Sequence, residues 1–153
     1  MDFSLSDEQQ SLQETARRFA QTEIAPNAAH YDQAGEFPRE IIKQAWELGL
    51  VSMCVPEVYG GVGLSMLDSC IAVEELAWGC AGMATSIMCN DLGLMPILVG
   101  GSEEQKKRWL TECTSEFKLV SFCLSEPNAG SDVAGMQLLA ERDGDHYVLN
   151  GTK

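Results

Sequence analysis

From about Gly82 to Val99 the sequence is apolar on nearly every side of a helical wheel. A helix of that kind has to be covered by other elements of the same molecule. Pro96 lies inside it and predicts a bend or an end, because proline lacks an N–H and its ring crowds the preceding turn. No apolar run is expected to be long enough to span a bilayer. The chain therefore has to supply cover for this segment, and four other helical patterns are available to do so.

The first pattern runs from about Asp7 to Ala29. Ser6 and Gln9 form a capping box, and Leu12, Ala16, Phe19, Ala20 and Ile24 fall on one face. The second begins near Pro38, carries Ile41, Ile42, Ala45, Trp46 and Leu48, and can end in a left-handed turn at Gly49. Val55-Pro56 and Gly60-Gly61-Val62-Gly63 then interrupt the periodicity. A third helix covers roughly Met66 to Trp78. The segment at 82–99 is the fourth. A fifth follows Gly100-Gly101, opens on a capping box of Ser102 and Gln105, and presents Trp109, Leu110 and Cys113.

After Ser115 the texture changes. Leu119 to Leu124 reads as a strand, and so do Met136 to Ala140 and His146 to Leu149, with Asp143-Gly144 as a hairpin turn. The expected fold class is mainly α: a helical domain over residues 1–117, followed over 118–153 by the first strands of a β domain. Three short strands leave open edges, so the β unit reads as incomplete.

Charge and cysteine content narrow the function. A formal net charge of -13 over 153 residues argues against nucleic acid and against an anionic membrane surface. A small anionic ligand held by backbone N–H groups remains open. None of the six cysteines forms a Cys-x-x-Cys pair, so neither a zinc site nor a dithiol site is expected, and free thiols favour a reducing compartment. Met1-Asp2-Phe3-Ser4 shows no basic-then-apolar leader and no Arg-rich transit pattern, which leans towards the cytoplasm, with the mitochondrial matrix as the alternative.

The most informative stretch is the loop from Phe122 through Ser125, Glu126, Pro127, Asn128, Gly130, Ser131 and Asp132 to Gly135. It gathers hydroxyls and backbone N–H groups that could grip a polar ring or a phosphate without a cationic side chain. It also reads as an ordinary surface turn, and composition alone favours the turn.

The same stretch resembles the flavin-loop signature of the acyl-CoA dehydrogenase family, in which an aromatic or small residue, Cys, x and Thr or Ser precede Glu-Pro and Gly-x-Gly-Ser-Asp. The resemblance extends along essentially the whole chain. It includes Asp7-Glu8-Gln9-Gln10, Trp46-Glu47-Leu48-Gly49-Leu50, Gly60 to Ser65, Glu74-Glu75-Leu76-Ala77, Gly101 to Lys106 and Gly144 to Gly151, in family order. Medium-chain and short-branched-chain members look most similar.

The resemblance implies an enzyme that binds FAD and an acyl-CoA thioester. A glutamate takes the α proton, hydride leaves the β carbon for the flavin, and the product is a trans-2-enoyl-CoA. Electrons pass to an electron-transfer flavoprotein. On this resemblance Phe122, Cys123, Leu124, Ser125, Glu126, Pro127, Asn128, Ala129, Gly130 and Ser131 line the flavin, and Ser131 also meets the CoA substrate. Ala84, Thr85 and Met88 match positions at the far end of the acyl pocket, for a straight aliphatic acyl group of moderate length. Phe122 lacks the hydroxyl of the tyrosine often found there, and Asn128 replaces a common glycine.

The family's catalytic glutamate belongs to a later helical domain that this chain does not contain, so the isolated chain is expected to be inactive. The family usually assembles as a dimer or tetramer. A short flavin- or acyl-CoA-binding module, and a same-fold acyl-CoA or nitroalkane oxidase, are the alternatives. Adjacent Glu74 and Glu75 point about 100° apart on a helix, so at least one reads as solvated or salt-bridged. His30 and His146 read as surface residues.

Overall fold

Serine hydroxyls start three of the helices. In the computed structural model, which describes residues 4–153, Ser6, Ser65 and Ser102 each accept the backbone N–H three residues on. In each case the side chain at that position (Gln9, Asp68 and Gln105) accepts the cap's own N–H, which completes a capping box. The leader-free start read at Met1 to Phe3 lies outside the described residues.

The first long helical stretch has four parts. Helix α1 (Asp7–Phe19) passes into a π turn (Ala20–Ile24) and a 3-10 turn (Ala25–Asn27), where Pro26 cannot donate, and then into α2 (Ala28–Ala34). Helix α3 (Arg39–Glu47) starts after Pro38 and ends before Gly49, whose φ of 73° is the left-handed turn expected there. Helices α4 (Met66–Gly79), α5 (Ala81–Gly100) and α6 (Glu103–Ser115) complete the helical unit, which spans Met1–Ser121.

Two contacts align α1 with α4. Gln9 Nε2 donates to Asp68 Oδ1 at 2.9 Å, and Arg17 pairs bidentately with Glu75 at 2.6 and 2.7 Å. The sequence separations are nearly equal, so the two helices run in the same direction. Glu75 is buried and Glu74 is not, which settles the Glu74-Glu75 pair: the buried carboxylate is the salt-bridged one. Ala16, Phe19, Ile24, Ile42, Leu76 and Ile87 form the centre of the main core. A smaller core gathers Val55, Leu94, Leu110 and Cys113.

Helix α5 departs from the sequence reading in three ways. It runs without interruption through Pro96, because a proline there costs one hydrogen bond while Leu94 and Ile97 hold the turn by packing. It is buried on one face only, through Met83, Ala84, Ile87, Asn90 and Leu94, whereas Leu92 and Val99 are exposed. At 20 residues with a mean hydropathy of 1.3, it is long and apolar enough to cross a membrane, contrary to the run-length expectation. Here that face packs against α3, α4 and α6.

Asn90 is fully buried and joins three segments. Its Nδ2 donates to Ser52 Oγ at 3.2 Å and to the Lys118 carbonyl at 2.8 Å, and its Oδ1 accepts the Val120 N–H at 2.8 Å. Among the described residues, Ser52 is the non-glycine residue with positive φ, at 59°. Val120 crosses α5 at Gly93, where an added Cβ would stand 2.7 Å from Val120 Cγ1. This explains why 119–124 forms no strand: its backbone is bonded to a side chain of α5 instead of a neighbouring strand.

The second unit, Phe122–Lys153, holds an antiparallel hairpin of β1 (Leu139–Asp143) and β2 (His146–Asn150), with Leu139 opposite Asn150 and Asp143 opposite His146. The turn is Gly144-Asp145, with Gly144 at a φ of 60°, next to the Asp143-Gly144 pair that signalled the hairpin. Both strands are exposed throughout. The observed division falls after Ser121, because Lys118 and Val120 are bound to Asn90.

Replacing Asn90 with leucine orphans the Val120 N–H, the Lys118 carbonyl and the Ser52 hydroxyl. We expect Asn90→Leu to lower stability by roughly 2–3 kcal/mol, read as a shift in the urea midpoint at unchanged slope.

Candidate functional site

The loop that begins at Phe122 is organised by a two-way backbone pair. Glu126 N donates to the Ala129 carbonyl at 3.0 Å, and Ala129 N donates to the Glu126 carbonyl at 3.1 Å. This closes a turn over Pro127 and Asn128, with Ala129 buried beneath it. A short 3-10 turn, Val133–Gly135, follows.

The Glu126 carboxylate accepts the N–H groups of Gln137 at 2.8 Å and Leu138 at 3.1 Å, and pairs with Lys153 Nζ at 3.1 Å. Lys153 also donates to the Leu124 carbonyl at 2.7 Å. Glu126 thus ties the loop to the backbone that enters β1, which is why β1 starts at Leu139 rather than Met136. The N–H groups of Gln137 and Leu138, then Lys153, hold the carboxyl below the usual glutamate range. Among the described residues the side chains of Ser125, Asn128 and Ser131 find no hydrogen-bond partner, and they are exposed, as is Phe122. An added Cβ at Gly130 would meet no protein atom within 4 Å.

These features fit a flavin. Exposed hydroxyls and an amide offer donors and acceptors, Phe122 offers an aromatic face, and Gly130 leaves room for close approach. The carboxylate of Glu126, a residue expected to line the cofactor, also holds the loop to the backbone before β1.

The helical unit contains a separate cavity of about 330 Å3 between α4, α5 and the segment Met53-Cys54. That is at the small end of the range for small-molecule sites. Met53, Met66, Val73, Met88, Leu92 and Met95 form its apolar wall. Thr85 and Met88, singled out from the sequence, both line it. Thr85's hydroxyl donates to the Ala81 carbonyl at 2.8 Å. Ala84, singled out with them, is packed in the main core and does not line the cavity, because on a helix it lies 100° away from Thr85.

Polar groups at the cavity are few. Cys54 Sγ and Ser69 Oγ lie 3.4 Å apart and share a hydrogen bond. Asp91 Oδ1 accepts the Cys54 N–H at 2.8 Å. Asp91 Oδ2 is buried with no partner. Burial pushes the Asp91 carboxyl above the usual range, against the lowering effect of the Cys54 and Met53 N–H groups. The sequence reading missed Asp91, although an acid beside Asn90 within an otherwise apolar helix is a signal. It also missed Lys153, which carries no motif.

Residues 6–116 match the family model for the acyl-CoA dehydrogenase N-terminal domain. The chain is 42% identical over 153 residues to a probable medium-chain specific acyl-CoA dehydrogenase of Caenorhabditis briggsae, spanning 100% of this chain and 38% of that one. It is 46% identical over 154 residues to the probable acyl-CoA dehydrogenase YngJ of Bacillus subtilis, spanning 100% and 40%. The structure of an acyl-CoA dehydrogenase from Bacillus anthracis complexed with FAD superposes with a TM-score of 0.87 at 35% identity, over 97% of this chain and 26% of that one. Fold and family match together define an acyl-CoA dehydrogenase N-terminal domain. The chain belongs to the acyl-CoA dehydrogenase family. It spans about two fifths of the length of its curated relatives.

Glu126 provides a pH test. Its folded pKa is lowered, so its stabilising contribution is full above the ordinary value of 4.5 and is lost as pH falls through the lowered value. Amide exchange at Gln137 and Leu138 should therefore be slow at neutral pH, and opening should rise only below the ordinary value. Glu126→Gln should speed exchange at both amides at pH 7.

Proposed function

We propose that this chain supplies the flavin loop and the acyl-end cavity of an FAD-dependent acyl-CoA dehydrogenase acting on straight aliphatic acyl-CoA of moderate length. The observation that carries the reading is the narrow, methionine-walled cavity lined by Thr85 and Met88. Unbranched, polarizable methionine side chains adapt to a flexible hydrocarbon tail. The limited volume argues against bulky branched or aromatic groups.

The residues of this chain bind, orient and exclude water. Phe122, Ser125, Asn128 and Ser131 would hold the flavin, with Ser131 also meeting the CoA portion of the substrate. Cys123, Leu124, Pro127, Ala129 and Gly130 contribute backbone and shape. Glu126 positions the loop. FAD, when bound, supplies the hydride-accepting chemistry. The proton transfer belongs to a glutamate outside this chain, so none of the residues here is assigned it. The acceptor of the electrons is an electron-transfer flavoprotein, and the whole enzyme is a homo-oligomer without membrane insertion. It works in a bacterial cytoplasm or a mitochondrial matrix, a range supported by relatives named from both kinds of source.

The test uses the whole enzyme, meaning this chain together with the part its relatives carry beyond it. Turnover of an acyl-CoA series, with a dye or electron-transfer flavoprotein as acceptor, should peak on a straight chain of moderate length and yield a trans-2-enoyl-CoA. A peak on branched or aromatic substrates would contradict the reading of the cavity. The isolated 153-residue chain should show no turnover.

A further inference from the structure

A cation holds the loop that begins at Phe122. Lys153 Nζ donates to the Leu124 carbonyl at 2.7 Å, pairs with Glu126 Oε1 at 3.1 Å and lies 3.1 Å from Met136 Sδ. The Lys153 side chain is 22% exposed and that of Glu126 8%. Glu126 is itself fixed by the N–H groups of Gln137 and Leu138. The ammonium group therefore has a defined seat, unlike a lysine in an open surface pair.

That seat determines what the loop presents on its other side. No cis peptide bond occurs among the described residues, and in a planar trans peptide the N–H points opposite to the carbonyl of the same unit. With the Leu124 carbonyl turned to Lys153, the Ser125 N–H is turned away from it. Among the described residues neither that N–H nor the Ser125 hydroxyl has a hydrogen-bond partner, and Ser125 is exposed. The next N–H, that of Glu126, is already spent on the Ala129 carbonyl. Ser125 thus offers two donors side by side to a ligand. The charge on the carbonyl also strengthens one of them. An ammonium drawing electron density through the C=O polarises the whole peptide unit, so its N–H donates more strongly. A stronger donor favours an acceptor that carries more negative charge.

We propose that Lys153 is a positioning residue of the cofactor site: it fixes and polarises the Leu124–Ser125 peptide, so that the Ser125 N–H faces the flavin as a strong donor and the site favours reduced over oxidised FAD. The inference rests on the reading of the loop as the flavin site. It adds to that reading a residue that does not touch the cofactor and acts on its electronics through one peptide group.

The experiment measures the two-electron midpoint potential of bound FAD in the whole enzyme, without substrate. Lys153→Met should lower the affinity for reduced FAD about tenfold more than that for oxidised FAD, a fall of about 30 mV. Lys153→Arg keeps the charge and the donors, so its potential should stay near the wild-type value. Glu126→Gln/Lys153→Met has the wild-type net charge, and the fall should persist in it. If Lys153→Met fails to fold, Lys153→Gln keeps a neutral donor for the Leu124 carbonyl without the charge and should still lower the potential. An unchanged potential with FAD retained would overturn the inference and leave Lys153 a structural tie. A fall that disappears in the double variant would overturn it too, because bare charge would then explain it. A whole enzyme that binds no FAD would instead remove the flavin reading of the loop, and this inference with it.

Discussion

The helical unit depends on the side chain of Asn90. One fully buried amide supplies two donors and an acceptor to three segments distant in sequence: the turn at Ser52, the carbonyl of Lys118 and the N–H of Val120. An apolar residue there would pack well and leave all three groups unmatched, and an isolated unpaired group in a core costs more than the pair contributes. The amide therefore determines where the chain leaves the helices. The close approach at Gly93 makes the same demand sterically, since a side chain there would collide with Val120.

Around that anchor, charge and packing set the order of the helices. The Arg17–Glu75 fork and the Gln9–Asp68 bond fix α1 and α4 in parallel register, so Ile24 and Leu76 reach the centre of the core together. The register in turn leaves one face of α5 to the core and another to the cavity. Met83, Ala84 and Ile87 serve the first, Thr85, Met88 and Leu92 the second. The angular spacing of a single helix thus divides core from cavity.

Much of this was legible in the sequence. Ser6 and Ser102 announced two helix starts through a local rule that needs no tertiary information, and the Asp143-Gly144 pair announced the hairpin for the same reason. Ser65 was overlooked because its partner is Asp68, outside the Glu or Gln pattern. The apolar stretch at α5 was visible, but its burial on one face was not, since which side meets α4 is decided by the remote pairs Gln9–Asp68 and Arg17–Glu75. The expected strand at 119–124 failed because β propensity cannot foresee a side chain taking the backbone's hydrogen bonds. At the loop, residue types carried the resemblance to a flavin signature, yet the hydrogen bonding came only from geometry: Glu126 holds the loop, whereas Ser125, Asn128 and Ser131 stay exposed.

The central claim is that the loop from Phe122 to Ser131 faces a flavin, and Gly130 tests it most directly. No protein atom lies within 4 Å of a Cβ added there, so Gly130→Val should leave the stability of the FAD-free protein unchanged. In the whole enzyme, the same substitution should weaken FAD binding at least about tenfold, the usual penalty for forcing extra methyl groups into a close-fitting site. Full retention of flavin by Gly130→Val, measured by visible absorbance against protein concentration, would contradict the account.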